Sequence, residues 1–374
     1  MTNHSPLSPA VPLQPQARAA QSKMTDRIAG AFAAAVAAAA LAFLASLLLG
    51  ESEISLESAL TQPGSTDALV LFSLRLPRAC LACLVGASLG LSGAALQSLL
   101  RNPLADPFIL GVSGGAALGA TASLAAGGMV LGTFLSRPCA LLPGALTDAC
   151  AAIVQSSPTA AAALLCALTS TLLVCAAASG SGRLYPVHAL LAGVVFNALA
   201  AAAITLIKSL SPPGRLGNLT FWLSGSIPAV PWPQLLAAAA VLTAAAARIL
   251  SLAHALNLLS LGRDQAAVLG LDADRAARAL FLWSSLLVAV TVSLSGMIGF
   301  VGLIVPHLIR RLAGADNRRL LPLSALLGAA VLLLADLASR LLLPAAGTIL
   351  PVGALTALAG APFFLVLLRR RSPS

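Results

Sequence analysis

Long apolar runs alternate along this chain with short polar breaks. They fall at about 29–49, 79–99, 109–128, 159–178, 188–210, 232–252, 279–297, 299–312, 321–343 and 350–368. About 20 apolar residues are needed for an α-helix to cross the roughly 30 Å of hydrocarbon in a bilayer. The pattern therefore predicts ten helices and an all-α polytopic membrane protein. The eighth run is too short to cross alone and reads as a half-helix or a tilted segment. Residues 1–27 ahead of the first run are polar, Pro-rich and basic (Arg18, Lys23, Arg27) and read as a disordered tail. The first run is longer than the apolar core of a signal peptide, which favours an uncleaved helix. Residues 28–371 then form a single transmembrane domain.

Small residues dominate the runs. Gly86-x-x-x-Gly90 opens the second, and Gly111, Gly115 and Gly119 form a stripe on the third. In lipid such stripes let helix backbones approach closely, where dispersion replaces the missing hydrophobic drive. Two uses stay open for the stripe: helix packing, or a pore wall of bare backbone.

Composition removes the other classes. Apolar residues make up 59% of the 374 and charged ones 9%, where a soluble domain is nearer half and a quarter. The net charge of +10 comes from short clusters between apolar runs, not from one basic face, so nucleic acid is not the partner. Only Lys23 and Lys208 are lysines, and neither lies in a phosphate-binding Gly-x-x-x-x-Gly-Lys loop. The four histidines lie far apart, without metal-ligand spacing. With the N-terminus inside, ten crossings bring the C-terminus back inside. Six cations (Arg75, Arg78, Arg137, Lys208, Arg215, Arg340) then fall outside and the other sixteen inside, as the positive-inside rule requires. The acids Glu51, Glu53, Glu57 and Asp67 fall outside with the six.

Four features carry candidate chemistry. Arg75-Leu76-Pro77-Arg78 stands at the outer entrance to the second helix, where its arginines either dock an acidic partner or snorkel to the interface. Asp336 and Arg340 share a face of the ninth helix as a proton relay or a structural pair. The stretch 256–279 is the one substantial charged insertion between spans. Gly262 and Gly270 bracket a short helical segment there, and Asp272 is placed to cap the helix that follows. Two short helices on the cytoplasmic face would make a docking surface for a soluble partner. Finally, Cys139 and Cys150 both lie in a long outer loop at about 129–158, where an oxidising compartment would let them form a disulfide.

These stretches resemble the FecCD-type permease family, which serves ABC transporters importing iron-siderophores, haem and cobalamin. The resemblance rests on RLPR at 75–78, VGASLGLSGAALQSLLRNPLADPFILGVSGGAALG at 85–119, LLAGV at 190–194 and GRDQAAVLG at 262–270. It continues through GFVGLIVPHLIRRLAGADNRRLLPLSALLGA at 299–329 and LPVGALTALAGAPFFLVLL at 350–368. The loop at 129–158 reads as a periplasmic insertion. The resemblance implies a cobalamin-permease-like bundle of ten helices, paired as a homodimer in the bacterial inner membrane with both termini cytoplasmic. It implies two cytoplasmic ATPase subunits holding ATP and Mg, a periplasmic binding protein above, and no cofactor or ATPase site on this chain. Arg75, Arg78 and Arg340 match the arginines that receive acids of the binding protein. Gly262, Arg263, Asp264, Ala267, Leu269, Gly270 and Leu271 match the ATPase-coupling helices. Gly296, Gly299, Gly302 and Asn197 fall where the family's path and gates lie.

A rival class is an ion-coupled secondary transporter, which needs intramembrane acids. Asp336 is its one strong candidate.

Overall fold

The computed structural model describes residues 15–50, 54–62, 64–127, 157–180, 183–342 and 350–369. All ten expected helices are present, joined by shorter ones. The first, α1, spans Pro15–Leu48. After α2 (Leu56–Thr61) and α3 (Thr66–Leu69), a π-helical stretch at Val70–Arg75 runs directly into α4 (Leu76–Leu99). A 3₁₀ turn at Pro107–Leu110 leads to α5 (Val112–Ala125). The bundle continues with α6 (Pro158–Ala178), α7 (Pro186–Leu210), α8 (Pro213–Leu223) and α9 (Trp232–Ser251). Next come α10 (Ala253–Leu261), α11 (Arg263–Val268), α12 (Ala273–Ser295), α13 (Val301–Ala313), α14 (Asn317–Leu341) and α15 (Val352–Arg369). Ser179–Gly180 and Arg183–Leu184 pair as a two-residue antiparallel hairpin between α6 and α7.

Among the described residues, seven helices are long and apolar enough to cross a membrane, while α5 and α15 are apolar but shorter. At 13 residues, α13 is only about 20 Å long, which makes it the half-helix its sequence suggested.

Three differences from the sequence pattern have physical causes. Residues 15–27 belong to α1 and are not a disordered tail, because Pro15 supplies a favourable first-turn residue and the Ala-rich sequence propagates the helix. The second helix starts at Thr66, thirteen residues early. Its π-helical widening lies just before Pro77, which has no N–H for the ladder. Short α8 has no counterpart among the ten runs: it opens with Pro213 and stops before Gly225 at φ +72°, so Pro and Gly punctuation marked it where hydropathy did not. The loop cysteines Cys139 and Cys150 lie outside the described residues.

The most extensive helix contact in the bundle is between antiparallel α4 and α14. A Cβ on Gly86 would strike the Gly328 carbonyl, and one on Gly90 the Ser324 carbonyl. Gly93 meets the Gly302 carbonyl of α13 in the same way. The third-helix stripe also packs: Gly115 and Gly119 lie on the α6 backbone at Cys166 and Ala162. The core around them is largely alanine and leucine, including Ala94, Ala116, Ala163, Ala289, Leu96 and Leu320.

Placing a branched side chain at the α4–α14 contact should therefore cost about 1–3 kcal/mol as overpacking. Gly90→Val is expected to lower the thermal unfolding midpoint of the detergent-solubilised protein. Gly30→Val, where no heavy atom lies within 4 Å of the added Cβ, should not. Equal midpoints for the two variants would count against the close approach as a determinant of stability.

Candidate functional site

Antiparallel α4 and α14 give the bundle two ends. At one end Arg75, Arg78, Asp336 and Arg340 converge. Asp336 is fully buried and holds two guanidiniums. Arg78 donates through Nε and Nη2 to Oδ1 at 3.0 and 2.9 Å, and Arg340 Nε lies 3.2 Å from Oδ2. Arg340 also donates through Nη2 to the Ser46 hydroxyl at 2.8 Å and the Ser46 carbonyl at 3.2 Å. Arg75 donates through Nη1 to the carbonyls of Leu47 and Leu48 at 2.9 and 3.1 Å. These carbonyls belong to the last turn of α1, which has no intrahelical donors and carries the negative end of the helix dipole. Arg75 and Arg340 thus cap α1, while Asp336 pairs with Arg340 and Arg78. Gly50 leaves room beside them: a Cβ there would stand 2.8 Å from Arg75 Nη2 and displace the guanidinium.

The three arginines expected to receive a partner's acids are largely buried here. Arg75 and Arg340 are 6% and 7% exposed, and the Arg78 side chain is 17% exposed. Spacing placed Asp336 and Arg340 on one helical face, but it could not reveal that Arg78, 258 residues away, shares the same acid. The Asp336–Arg340 pair expected from spacing is made, with Arg78 as a second partner of the same acid.

Between the ends, three breaks in the helices meet. The Ser226 N–H donates to the Ser295 carbonyl at 2.8 Å, and the Gly353 N–H to the Gly225 carbonyl at 3.1 Å. Gly225 and Gly353 both lie against the Met297 carbonyl, and Gly296 (φ +68°) against the Trp222 carbonyl. Bare backbone is needed here because three chain segments touch with no side chain between them. Phe300 sits at φ +69°, a conformation that costs a non-glycine residue about 1–3 kcal/mol, immediately before α13. Helix α8 reaches this junction and stops; residues 226–231 then lead back to the arginine end, where the Trp232 indole donates to the Phe72 carbonyl at 3.2 Å. Beside Phe300, an apolar groove of about 500 Å³ opens among α13, α14 and α15, lined by Ile304, Leu308, Val331, Leu334 and Phe363. Helix α13 is therefore held closely by α4 and loosely by α15.

The residues expected on a path divide. Gly296 belongs to the junction, whereas a Cβ on Gly302 would stand 3.0 Å from the Leu89 carbonyl and 3.1 Å from Pro107. A Cβ on Gly299 would meet no heavy atom within 4 Å, so sterics do not demand glycine there. Asn197 donates to the Phe108 carbonyl at 3.0 Å and ties α7 to the 3₁₀ turn before α5. Gly111, at φ +85°, ends that turn. Ser113 lies in Gly111-Val112-Ser113-Gly114-Gly115, a match to a hydrolase elbow, but a 3₁₀ turn precedes it instead of a strand, and its hydroxyl bonds the Phe108 carbonyl at 2.9 Å.

At the opposite end, α10 and α11 are two short helices. The helix capped by Asp272 is not short, as expected, but runs on to Ser295 as α12. Helix α11 is the segment expected between Gly262 and Gly270, and α10 stands ahead of it instead. Gly262 (φ +138°) separates them, Gly270 (φ +83°) ends the second, and Asp272 caps α12 by accepting the Arg275 N–H at 2.9 Å. Arg263 is paired with Asp274 at 3.0 Å, and Arg183 of the hairpin reaches the same acid at 3.6 Å. Asp264 and Ala267 are exposed, and Leu271 packs partly against the core. Val268 and Leu269 are 88% and 59% exposed. Beneath the pair, Asn257 donates to Asp316 at 2.7 Å. Burial alone would raise the Asp316 carboxyl, but this bond, the Arg318 N–H and the charges of Arg319 and Arg318 outweigh it and hold the group below the usual range.

A bundle of apolar helices, interrupted midway and bearing an exposed helical pair at one end, defines a membrane-embedded permease. The chain belongs to the FecCD transport family, which matches residues 38–370, and is an ABC importer permease. It is 40% identical over 307 residues to the cobalamin import system permease protein BtuC of Halobacterium salinarum, covering 82% of this chain and 75% of that one. It is 37% identical over 330 residues to the hemin transport system permease protein HmuU of Yersinia pestis, covering 88% and 92%. A solved structure described as an inward-facing conformation of a metal-chelate type ABC transporter superposes with a TM-score of 0.74 at 31% identity. That match covers 92% of this chain and 99% of the other.

Removing the buried acid while its cations stay should cost about 3–5 kcal/mol. Asp336→Leu is expected to lower the melting temperature sharply in detergent. Adding Arg78→Met and Arg340→Met should restore part of the loss. A single variant that melts like the wild type would show that Asp336 does not hold this end together.

Proposed function

We propose that two copies of this chain form the conduit of a binding-protein-dependent ABC importer in the bacterial inner membrane, carrying a bulky metal chelate of the cobalamin, haem or iron-siderophore class. The observation that carries this reading is the exposed α10–α11 pair in a chain of this family. Val268 and Leu269 are exposed apolar residues between the candidate spans, as a helix seated in a partner's groove would present. Two cytoplasmic ATPase subunits are the partners at that end and supply ATP, Mg and the hydrolysis. A periplasmic binding protein docks over the arginine end. Arg78, the most exposed of the three, meets it directly, and Arg75 and Arg340 hold the α1 terminus in place beneath it. The two termini and the α10–α11 pair are cytoplasmic.

Transport then proceeds by alternating access. ATP binding draws the ATPases together and shifts α10 and α11. Closely packed helices answer by rocking between discrete arrangements, not by bending. The breaks at Gly225, Gly296 and Phe300 let short α8 and α13 move against long neighbours. The nucleotide acts only through its different affinity for the two states. The rival ion-coupled reading needs an acid free to take up an ion, and Asp336 is already shared by Arg78 and Arg340.

Val268→Asp combined with Leu269→Asp is expected to abolish co-purification of the cognate ATPase while leaving membrane insertion intact. Retained ATPase would overturn the docking assignment. The purified chain alone in nanodiscs should neither hydrolyse ATP nor drive solute flux; either activity would overturn the passive-conduit reading.

A further inference from the structure

Below the short helices, a run of polar side chains crosses from α10 into the bundle. Asn257 of α10 uses both ends of its amide. Its Oδ1 accepts the backbone N–H and the side-chain Nδ2 of Asn317 at 2.9 and 2.8 Å, and its Nδ2 donates to Asp316 Oδ1 at 2.7 Å. Asn317 Oδ1 accepts the Ser98 hydroxyl of α4 at 2.7 Å. Arg310 of α13 donates to Ser98 Oγ at 3.4 Å and to Gln97 Oε1 at 3.3 Å. Gln97 completes the run by donating to the Leu303 carbonyl at 3.1 Å and the Gly302 carbonyl at 3.4 Å. Those carbonyls lie in the first turn of α13, directly after the strained Phe300. Asn317 and Gln97 are both buried.

Capping explains only part of this. Asp316 caps α14 by accepting the Arg318 N–H at 3.1 Å, and Asn257 Oδ1 takes the neighbouring Asn317 N–H at 2.9 Å. The remaining bonds tie the α13–α14 corner to α10 and to α4, which the chain connects to it elsewhere. Hydrogen bonds weaken steeply with angle and distance, so a displaced donor either carries its partner along or lets go. Apolar contacts between the same helices would slide.

We propose that Asn257 is the positioning residue joining the short-helix pair to the bundle. The run Asn257–Asn317–Ser98–Arg310–Gln97 carries nucleotide-driven motion of α10 to the first turn of α13 and hence to the helix breaks. This rests on the importer reading, so the test uses the permease dimer assembled with its ATPase subunits and takes MgATP with vanadate as its probe, without any transported solute. Hydrogen–deuterium exchange is followed in peptides covering 253–271 and 296–304.

In the wild-type complex, trapping with vanadate should change exchange in both segments. In Asn257→Leu, the change at 253–271 and the ATPase rate should persist, while the change at 296–304 falls several-fold. Ser98→Ala, which cuts the run one step further in, should behave alike and serves if Asn257→Leu does not assemble. An unaltered response at 296–304 in the variants would overturn the relay. Loss of the response in both segments together with assembly, in both variants, would reduce the residues to a structural role and overturn it too. A wild-type complex without nucleotide response at 253–271 would sink the importer reading itself.

Discussion

The structure depends above all on how closely α4 and α14 approach. Where Gly86 and Gly90 face Gly328 and Ser324, backbone touches backbone, and no side chain separates the helices. In a bilayer, apolar side chains gain nothing by leaving lipid for protein, so helices are held by dispersion at short range and by polar contacts that have no other partner. The contact also sets a register. Once Gly86 lies on Gly328, Arg78 falls opposite Asp336 at one end and Ser98 opposite Asn317 at the other. The two polar clusters are consequences of one close approach between small residues.

The clusters solve different problems. At the arginine end, the last turn of α1 offers carbonyls without donors, and the arginines supply them. Asp336 makes it tolerable to bury those cations, at the expense of being unable to serve as a free ion carrier. At the other end, the bonds between helices run mainly through neutral amides and a hydroxyl, with Arg310 and the partly exposed Asp316 carboxylate at the edges. Such bonds can exchange partners without leaving a bare charge in a low-dielectric interior, which suits a moving joint better than a buried ion pair.

Between the clusters the helices are incomplete. Backbone that is not helical survives at membrane depth only when protein satisfies it, and the segments around Gly225, Gly296 and Gly353 satisfy one another. Short helices ending at such a junction, with apolar space beside α13, can tilt without breaking the long ones. A permease needs that combination of rigid frame and articulated short elements, since its access must alternate while its packing survives.

The sequence by itself determined the membrane class, the ten helices, the half-length of α13 and the turn chemistry around Gly262, Gly270 and Asp272, because hydropathy, helix length and capping are local properties. The resemblance of long motifs supplied the family. Sequence did not show α8, whose eleven residues carry no strong apolar run, nor the helical state of 15–27, where propensity outweighed polarity. It paired Asp336 with Arg340 on one helical face but left Arg75 and Arg78 without a partner, since neither has an acid three or four residues away in its own segment. Only the tertiary structure decided that Asp336 serves two arginines and that Asn257 meets Asn317. Arg78 and Asp336 are 258 residues apart and are brought together by the glycine-to-glycine register of α4 against α14, while Asn257 and Asn317, 60 apart, meet through the packing of α10 on α14.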